Sequence, residues 1–128
     1  MDFAEPIQAV IPGATGRVLA VLAQTSRELS ATAIAKLAGV SPAQAARTLP
    51  HLAELGLVVR RDAPPATLYH LASDHVAVAP LVALGQAPLT FVTRLGDEIA
   101  RLKPEPACVA AFGSFARHQA RAESDIDL

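Results

Sequence analysis

The sequence has little of what defines several classes of protein. It contains one cysteine and no tryptophan, and only 4% of its 128 residues are aromatic. A single cysteine, Cys108, excludes an internal disulfide bond and is typical of a reducing compartment. No apolar run approaches the roughly 18 residues of a membrane span, and the N-terminus lacks a basic segment followed by an apolar one. We therefore expect a soluble, cytoplasmic protein.

A strong net charge is also missing. Eleven basic and twelve acidic side chains give a net charge of −1, so the overall charge does not indicate a polyanionic partner. The distribution is uneven, because residues 27–62 have five basic and three acidic side chains, whereas residues 63–128 have five and seven. The local basic excess indicates that residues 27–62 carry a nucleic-acid-binding surface.

Residues 41–57 carry the clearest local signals, which predict one helix. Ser41 is an N-cap, Pro42 occupies the first helical position, and Gln44 completes a capping box. Gly56 is predicted to end the helix in a left-handed conformation, with Leu57 completing a Schellman cap. The spacing predicts a buried face and an opposite, outward face. The buried face consists of Ala45, Leu49, Leu52 and Leu55, and the outward face carries Gln44, Arg47, Thr48 and His51.

A shorter helix is predicted just before it, over residues 30–38. Ser30 is its N-cap, Ile34 and Leu37 are expected to face inward, and Gly39 ends it. Two helices joined by a tight turn are typical of a helix-turn-helix. Residues 29–60, LSATAIAKLAGVSPAQAARTLPHLAELGLVVR, resemble the winged helix-turn-helix regulators of the ArsR and MarR type. The resemblance covers about the first half of the chain.

This resemblance implies that the chain binds double-stranded DNA. Residues 41–55 would enter the major groove, where the outward side chains Gln44, Arg47, Thr48 and His51 would face the DNA. Anchoring of phosphates is expected from Lys36, Arg60, Arg61 and Arg27. The alternative is that the outward face is simply solvated, and whether Arg47 binds a base or a phosphate stays open.

The rest of residues 1–72 completes the predicted winged domain. Residues 7–11 are expected to form an edge strand, and residues 13–24 a helix buried through Val18, Leu19, Val21 and Leu22. The segments LVVRRD, APPA and TLYHL predict a strand, a turn and a strand, which form the wing. Arg60 and Arg61 are adjacent, so they point to opposite faces of the strand. The predicted fold class is α+β, mainly helical, and the uncharged wing tip argues against insertion into the minor groove.

Residues 73–104 are expected to form a helical linker. A helix over residues 75–84 contains Pro80, which should kink or break it. A second helix over residues 88–102 has a coiled-coil-like apolar seam of Val92, Leu95, Ile99 and Leu102. The seam indicates a homodimer, or else packing on the protein's own domain. The sequence KPEP, which ends at Pro106, predicts an extended linker.

Residues 105–128 contain a different motif. Residues 108–112 are expected to form a buried strand that includes Cys108, followed by Gly113 and Ser114 at the start of a short helix, where backbone N–H groups can bind phosphate. Asp125 and Asp127 lie two residues apart, so both carboxylates share one face of a strand and suit Mg²⁺. The motif therefore predicts a nucleotide-binding β-hairpin.

These residues resemble the start of a polymerase-β-type minimal nucleotidyltransferase. The resemblance implies that Gly113 and Ser114 hold a nucleoside triphosphate and that Asp125 and Asp127 hold Mg²⁺. His118 stands where relatives have glycine, and the third carboxylate of the family, on a later strand, is missing. We expect an incomplete, inactive nucleotidyltransferase site, from either a truncated chain or a natural remnant.

Three functions remain open at this point. The first is a transcriptional regulator with an attached nucleotide-binding module. The second is a Mg²⁺-dependent nucleotidyltransferase fragment whose winged helix recruits substrate, and the third is a protein-interaction module. A metal site of histidines is disfavoured because the four histidines lack ligand spacing. No cofactor other than Mg²⁺ is expected.

Overall fold

The computed structural model describes residues 4–103 and 107–110 of the chain. This part contains six helices and three short strands. Residues Ile7–Gly85 form one compact unit, and the remaining described residues belong to a second one. In chain order the elements are α1 (Pro6–Val10), α2 (Gly13–Ala23), β1 (Leu29–Ser30), α3 (Ala31–Ala38), α4 (Pro42–Glu54), β2 (Val58–Ala63), β3 (Ala66–Leu71), α5 (Val78–Gly85) and α6 (Ala87–Ala100).

Helices α2, α3 and α4 enclose the core of the first unit. Its most completely buried side chains are aliphatic, and each exposes less than 2% of its surface: Val18, Leu22, Ile34, Leu49 and Leu52. Among the described residues no polar or charged residue is buried. The three helices are therefore held together by removal of apolar surface from water.

The strands form one antiparallel sheet in the order β1-β3-β2. Strands β2 and β3 pair from Val58 opposite Leu71 to Ala63 opposite Ala66, and β1 pairs Leu29 with Tyr69. The hairpin confirms the predicted wing and the α+β, mainly helical class. Strand β1 has only two residues, and no sequence pattern predicted it.

The first residues differ from the prediction. Residues 7–11 were expected to form an edge strand, but Pro6–Val10 is the helix α1. Ile7 is 3% exposed and belongs to the core cluster, and its carbonyl accepts a hydrogen bond from the Ile11 N–H at 2.8 Å. A helical turn buries this one large side chain without requiring a partner strand.

Two leucines predicted to be buried are exposed. Leu37 is 65% exposed and Leu55 is 53% exposed. The face of α3 that packs on the core consists of Ala31, Ile34, Ala35 and Ala38, and Leu37 lies beside this face rather than on it. Leu55 is the C-cap of α4, so it no longer lies in line with the buried face of the helix.

The predicted break at Pro80 is wrong. Helix α5 begins at Val78, so Pro80 lies in the first turn, where a backbone N–H has no helical partner to lose. Helix α6 agrees closely with the predicted 88–102 helix, and none of its residues is buried.

No single helix in residues 4–103 and 107–110 is long and apolar enough to cross a membrane, and only α5 and α6 taken together meet that test of length and composition.

The terminal motif lies almost entirely outside the described residues. Cys108, expected in a buried strand, is exposed, and Ala107–Ala110 adopt no regular structure. These four residues show none of the alternating burial of a strand packed on a core. Gly113, Ser114, Asp125 and Asp127 are outside the described part, as are Pro104 and Pro106 of the predicted linker.

Candidate nucleic-acid interface

The start of α4 is held by the predicted capping box. Ser41 Oγ accepts a hydrogen bond from the Gln44 N–H at 3.1 Å, and the Ser41 N–H donates to Gln44 Oε1 at 2.9 Å. Both bonds satisfy backbone or side-chain groups that the first helical turn would otherwise leave unpaired. Gln44 therefore uses one lone pair of its side-chain oxygen in the cap, and its amide N–H groups remain for an external partner.

The end of α4 is the predicted Schellman cap. Gly56 has φ of 78°, its N–H donates to the Ala53 carbonyl at 3.0 Å, and the Leu57 N–H donates to the Leu52 carbonyl at 3.1 Å. Left-handed backbone suits glycine because it has no Cβ. The helix is thus fixed at both ends, and the wing starts directly after it.

The turn between α3 and α4 is equally well defined. Gly39 has φ of 65°, and the Val40 N–H donates to the Ala35 carbonyl at 3.1 Å. Arg17 of α2 donates from Nη1 to the Gly39 carbonyl at 3.3 Å. Residues 39–41 are the whole connection between the two helices, so the angle at which α4 leaves the domain is set by a short, hydrogen-bonded turn.

The two faces of α4 separate largely as predicted, except that Leu55 is exposed. Ala45, Leu49 and Leu52 are buried, whereas Arg47 and His51 are exposed and Thr48 is half-buried. Lys36, in the last turn of α3, is also exposed. The exposed face carries hydrogen-bond donors and positive charge, which is the chemistry that base edges and phosphates accept.

Pro50 is a feature of α4 that the sequence analysis did not identify. It lies inside the helix and is exposed. Because proline has no N–H, the Ala46 carbonyl receives no bond from the following turn. A proline in the middle of an apolar-periodic segment is the signal that was available in the sequence, and α4 continues through it to Glu54.

The two wing arginines differ in their surroundings. Arg60 makes one contact, from Nε to Asp62 Oδ1 at 3.3 Å, and the hydroxyl of Thr67 donates to the same oxygen. Arg61 forms a closer pair with Glu28, in which Nε lies 2.9 Å and 3.1 Å from the two carboxylate oxygens and Nη2 also donates. The two side chains were predicted to point to opposite faces of β2, and their separate partners agree with this.

The pairing of Glu28 with Arg61 changes the pKa values of both side chains. The hydrogen bond and the positive charge of Arg61 lower the pKa of the Glu28 carboxyl, against a smaller opposing effect of burial, and the carboxylate raises the pKa of Arg61. Glu28 is therefore ionised at neutral pH, and the pair is a full ion pair there.

Arg27, the remaining predicted phosphate contact, is exposed, and its backbone N–H donates to Thr25 Oγ1 at 3.1 Å.

Metal binding has no candidate cluster within the described residues. No group of three or more His, Cys, Asp or Glu side chains in residues 4–103 and 107–110 has the geometry to hold a metal ion. The predicted Mg²⁺ ligands and phosphate-binding residues lie outside this part of the chain. The predicted site residues within the described part of the chain lie on the helix-turn-helix, on the wing and just before β1.

Comparison with known proteins supports this assignment for the first part of the chain. Residues 15–62 match the model of the IclR helix-turn-helix domain, a segment that begins in α2 and ends in β2. The match covers less than half of the chain. No curated protein matches the chain at a significant level.

Solved structures of winged-helix proteins are similar to the chain. A MarR family transcriptional regulator from Silicibacter pomeroyi is 24% identical, with a TM-score of 0.52, over 77% of this chain and 71% of that one. A homodimeric winged helix-turn-helix DNA-binding domain from Mycobacterium bovis is 30% identical, with a TM-score of 0.47, over 71% and 74%. Lactococcus lactis ZitR is 21% identical, with a TM-score of 0.49, over 67% of this chain and only 60% of its own length.

These findings establish a winged helix-turn-helix domain of the type found in DNA-binding transcriptional regulators. The resemblance to ArsR and MarR regulators is supported at the level of this fold, whereas the matching family model is that of the IclR helix-turn-helix domain. The nucleotidyltransferase resemblance concerns residues beyond the matched segment and stays a prediction.

Proposed function

We propose that the chain is a DNA-binding transcriptional regulator in which α4 enters the major groove. The observation that carries the proposal is the division of α4 into a buried face and an exposed face bearing Arg47 and His51. A helix capped at both ends and held by a three-residue turn presents this face rigidly, which is what reading of base edges requires.

This surface offers two kinds of DNA contact, to base edges and to phosphates. Arg47, Thr48 and His51 are positioned for base edges or the adjacent phosphates, and Gln44 contributes its amide N–H groups. Lys36 and Arg60 are exposed and suit phosphates, and Arg27 is an additional candidate for the same role. These phosphate contacts would supply most of the salt-dependent affinity.

Arg47→Ala is expected to weaken binding to duplex DNA by about 5- to 150-fold, since one arginine contact contributes about 1–3 kcal/mol. Fluorescence anisotropy of labelled mixed-sequence and candidate operator duplexes, titrated at low and moderate salt, measures this. Arg94→Ala is the matched control, because it removes the same charge from α6, outside the winged domain. Absence of binding at low salt, or equal effects of the two substitutions, would contradict the proposal.

We also propose that α6 makes the chain a homodimer. Leu89, Val92 and Leu102 are each more than half exposed, and Leu95 and Ile99 are half-buried. This apolar seam is flanked by side chains of both charges, among them Arg101, which donates to Glu98 at 2.9 Å. A second copy would cover the seam, and a two-fold dimer matches the two-fold symmetry of an operator with two half-sites.

Val92→Glu is expected to shift the chain to the monomer in sedimentation-velocity ultracentrifugation, because a carboxylate in the seam would be buried in the dimer without a partner. DNA affinity should fall in parallel. Thr90→Glu adds the same charge on the opposite side of α6 and should leave the assembly unchanged. A wild-type chain that stays monomeric at micromolar concentration would show that the seam packs in another way.

A nucleotide-related function remains a separate prediction. It is favoured only by the Gly113-Ser114 pair and by Asp125 and Asp127, and it would add a nucleotide-binding module or make the winged helix a substrate-recruiting part of a Mg²⁺-dependent enzyme. The geometry of the described residues favours the regulator, because its candidate contacts on α4 and the neighbouring elements are exposed, apart from the half-buried Thr48.

A further inference from the structure

The ion pair between Glu28 and Arg61 joins opposite edges of the sheet. Glu28 immediately precedes β1, Arg61 lies on β2, and the central strand β3 runs between them. The register that pairs Leu29 with Tyr69 and Val59 with His70 places Glu28 beside His70 and on the same face as Arg61. The arginine side chain therefore crosses β3 to reach the carboxylate.

Glu28 occupies two of the five N–H donors of Arg61, on the Nε and Nη2 side of the guanidinium. Nε and Nη2 both donate to the carboxylate, an arrangement of two near-parallel bonds that arginine also makes with phosphate. Arg60 has only its Nε engaged, so both of its terminal amino groups remain available. The two adjacent arginines thus differ in how readily they can bind DNA.

His70 lies beside the carboxylate of Glu28. Its Nδ1 lies 3.5 Å from Glu28 Oε1 and is buried without a hydrogen-bond partner. The side chain of Glu28 is only 29% exposed, so it lies between the imidazole and the guanidinium rather than in open solvent. The acceptor that Arg61 contacts is therefore a partly buried carboxylate.

We propose that Glu28 withholds Arg61 from the DNA backbone and so lowers the affinity of the wing for DNA. The carboxylate is an internal substitute for a phosphate, and its removal leaves Arg61 free to make one additional phosphate contact. The inference rests on the proposed function, because it concerns the strength of DNA binding rather than its existence. It makes Glu28 a positioning residue, which acts on DNA only through Arg61.

Glu28→Gln is expected to raise affinity for duplex DNA about fivefold at moderate salt and to steepen the dependence of log affinity on log salt by about 0.9, the value of one phosphate contact. The same substitution in an Arg61→Gln background should have little effect on either quantity. This comparison separates release of Arg61 from the general effect of removing a negative charge, which would be present in both backgrounds. Thermal unfolding of the four proteins checks that each is folded.

Two outcomes overturn the inference. An equal gain in both backgrounds would show that Glu28 acts only as a nearby negative charge, and an unchanged affinity in Glu28→Gln would show that Arg61 does not reach DNA after release. In either case wild-type binding that weakens with Arg47→Ala leaves the proposed function intact. No binding by the wild type or by Glu28→Gln would reject the proposed function and this inference together.

Discussion

Ile34→Ala is expected to lower the free energy of unfolding by about 3 kcal/mol, because it deletes buried methyl groups and leaves a cavity. Ile34 is completely buried and lies in α3, where it joins the core formed with α2 and α4. The surrounding side chains, among them Val18, Leu22 and Leu49, are themselves buried and have little freedom to fill the space. Equilibrium unfolding in urea, followed by circular dichroism, measures the change.

Leu37→Ala is the matched control on the same helix. Leu37 is 65% exposed, and alanine favours a helix slightly more than leucine does, so we expect a change of less than about 0.5 kcal/mol. The contrast tests the observed burial pattern directly, since the sequence pattern alone predicted that both residues face inward. A large loss of stability in Leu37→Ala, or a small one in Ile34→Ala, would show that the packing face of α3 is assigned incorrectly.

The stability of this cluster also matters for DNA binding. Ile34 and Leu49 are buried on α3 and α4, the two helices whose relative position would direct Arg47 toward DNA if the proposed function holds. A cavity between them would loosen that position without altering any exposed side chain. Under conditions where it remains folded, Ile34→Ala is therefore expected to bind DNA more weakly than Leu37→Ala.

The features that were predictable from the sequence depend on local chemistry. Ser41, Pro42 and Gln44 fix the start of α4 through bonds within one turn, and Gly39 and Gly56 mark helix ends because left-handed backbone suits glycine. Such signals need no knowledge of the rest of the fold. For this reason the ends of α3 and α4, and the wing that follows them, agree with expectation.

The features that were not predictable depend on distant residues. Residues 7–11 have strand-like composition, but burial of Ile7 against the core favours a helix. The Glu28 and Arg61 side chains are 33 positions apart, so their pairing follows from the sheet register and not from any local pattern. The sequence predicted that Arg60 and Arg61 point to opposite faces of the strand, with one of them able to reach a phosphate, but it gave no sign that Arg61 is paired with Glu28.

The close approach of α1 to α2 leads to a further prediction with a large effect. A Cβ added at Gly16 would lie 1.6 Å from the Ile11 carbonyl oxygen and 2.8 Å from its carbon. These are backbone atoms, so no side-chain rotation can relieve the overlap, and the turn between the helices must move. Gly16→Ala is therefore expected to cost about 3 kcal/mol of stability, partly by displacing Ile7 from the core.

Gly96→Ala is the control for this substitution. Gly96 lies in α6, and a Cβ there would meet no atom within 4 Å, so alanine should be neutral or stabilise that helix by up to about 1 kcal/mol. Both variants add the same methyl group to a helical glycine, and they differ only in what surrounds it. If Gly16→Ala unfolds at the same urea concentration as the wild type, α1 does not pack on α2 through the Ile11 carbonyl, and the burial of Ile7 must have another cause.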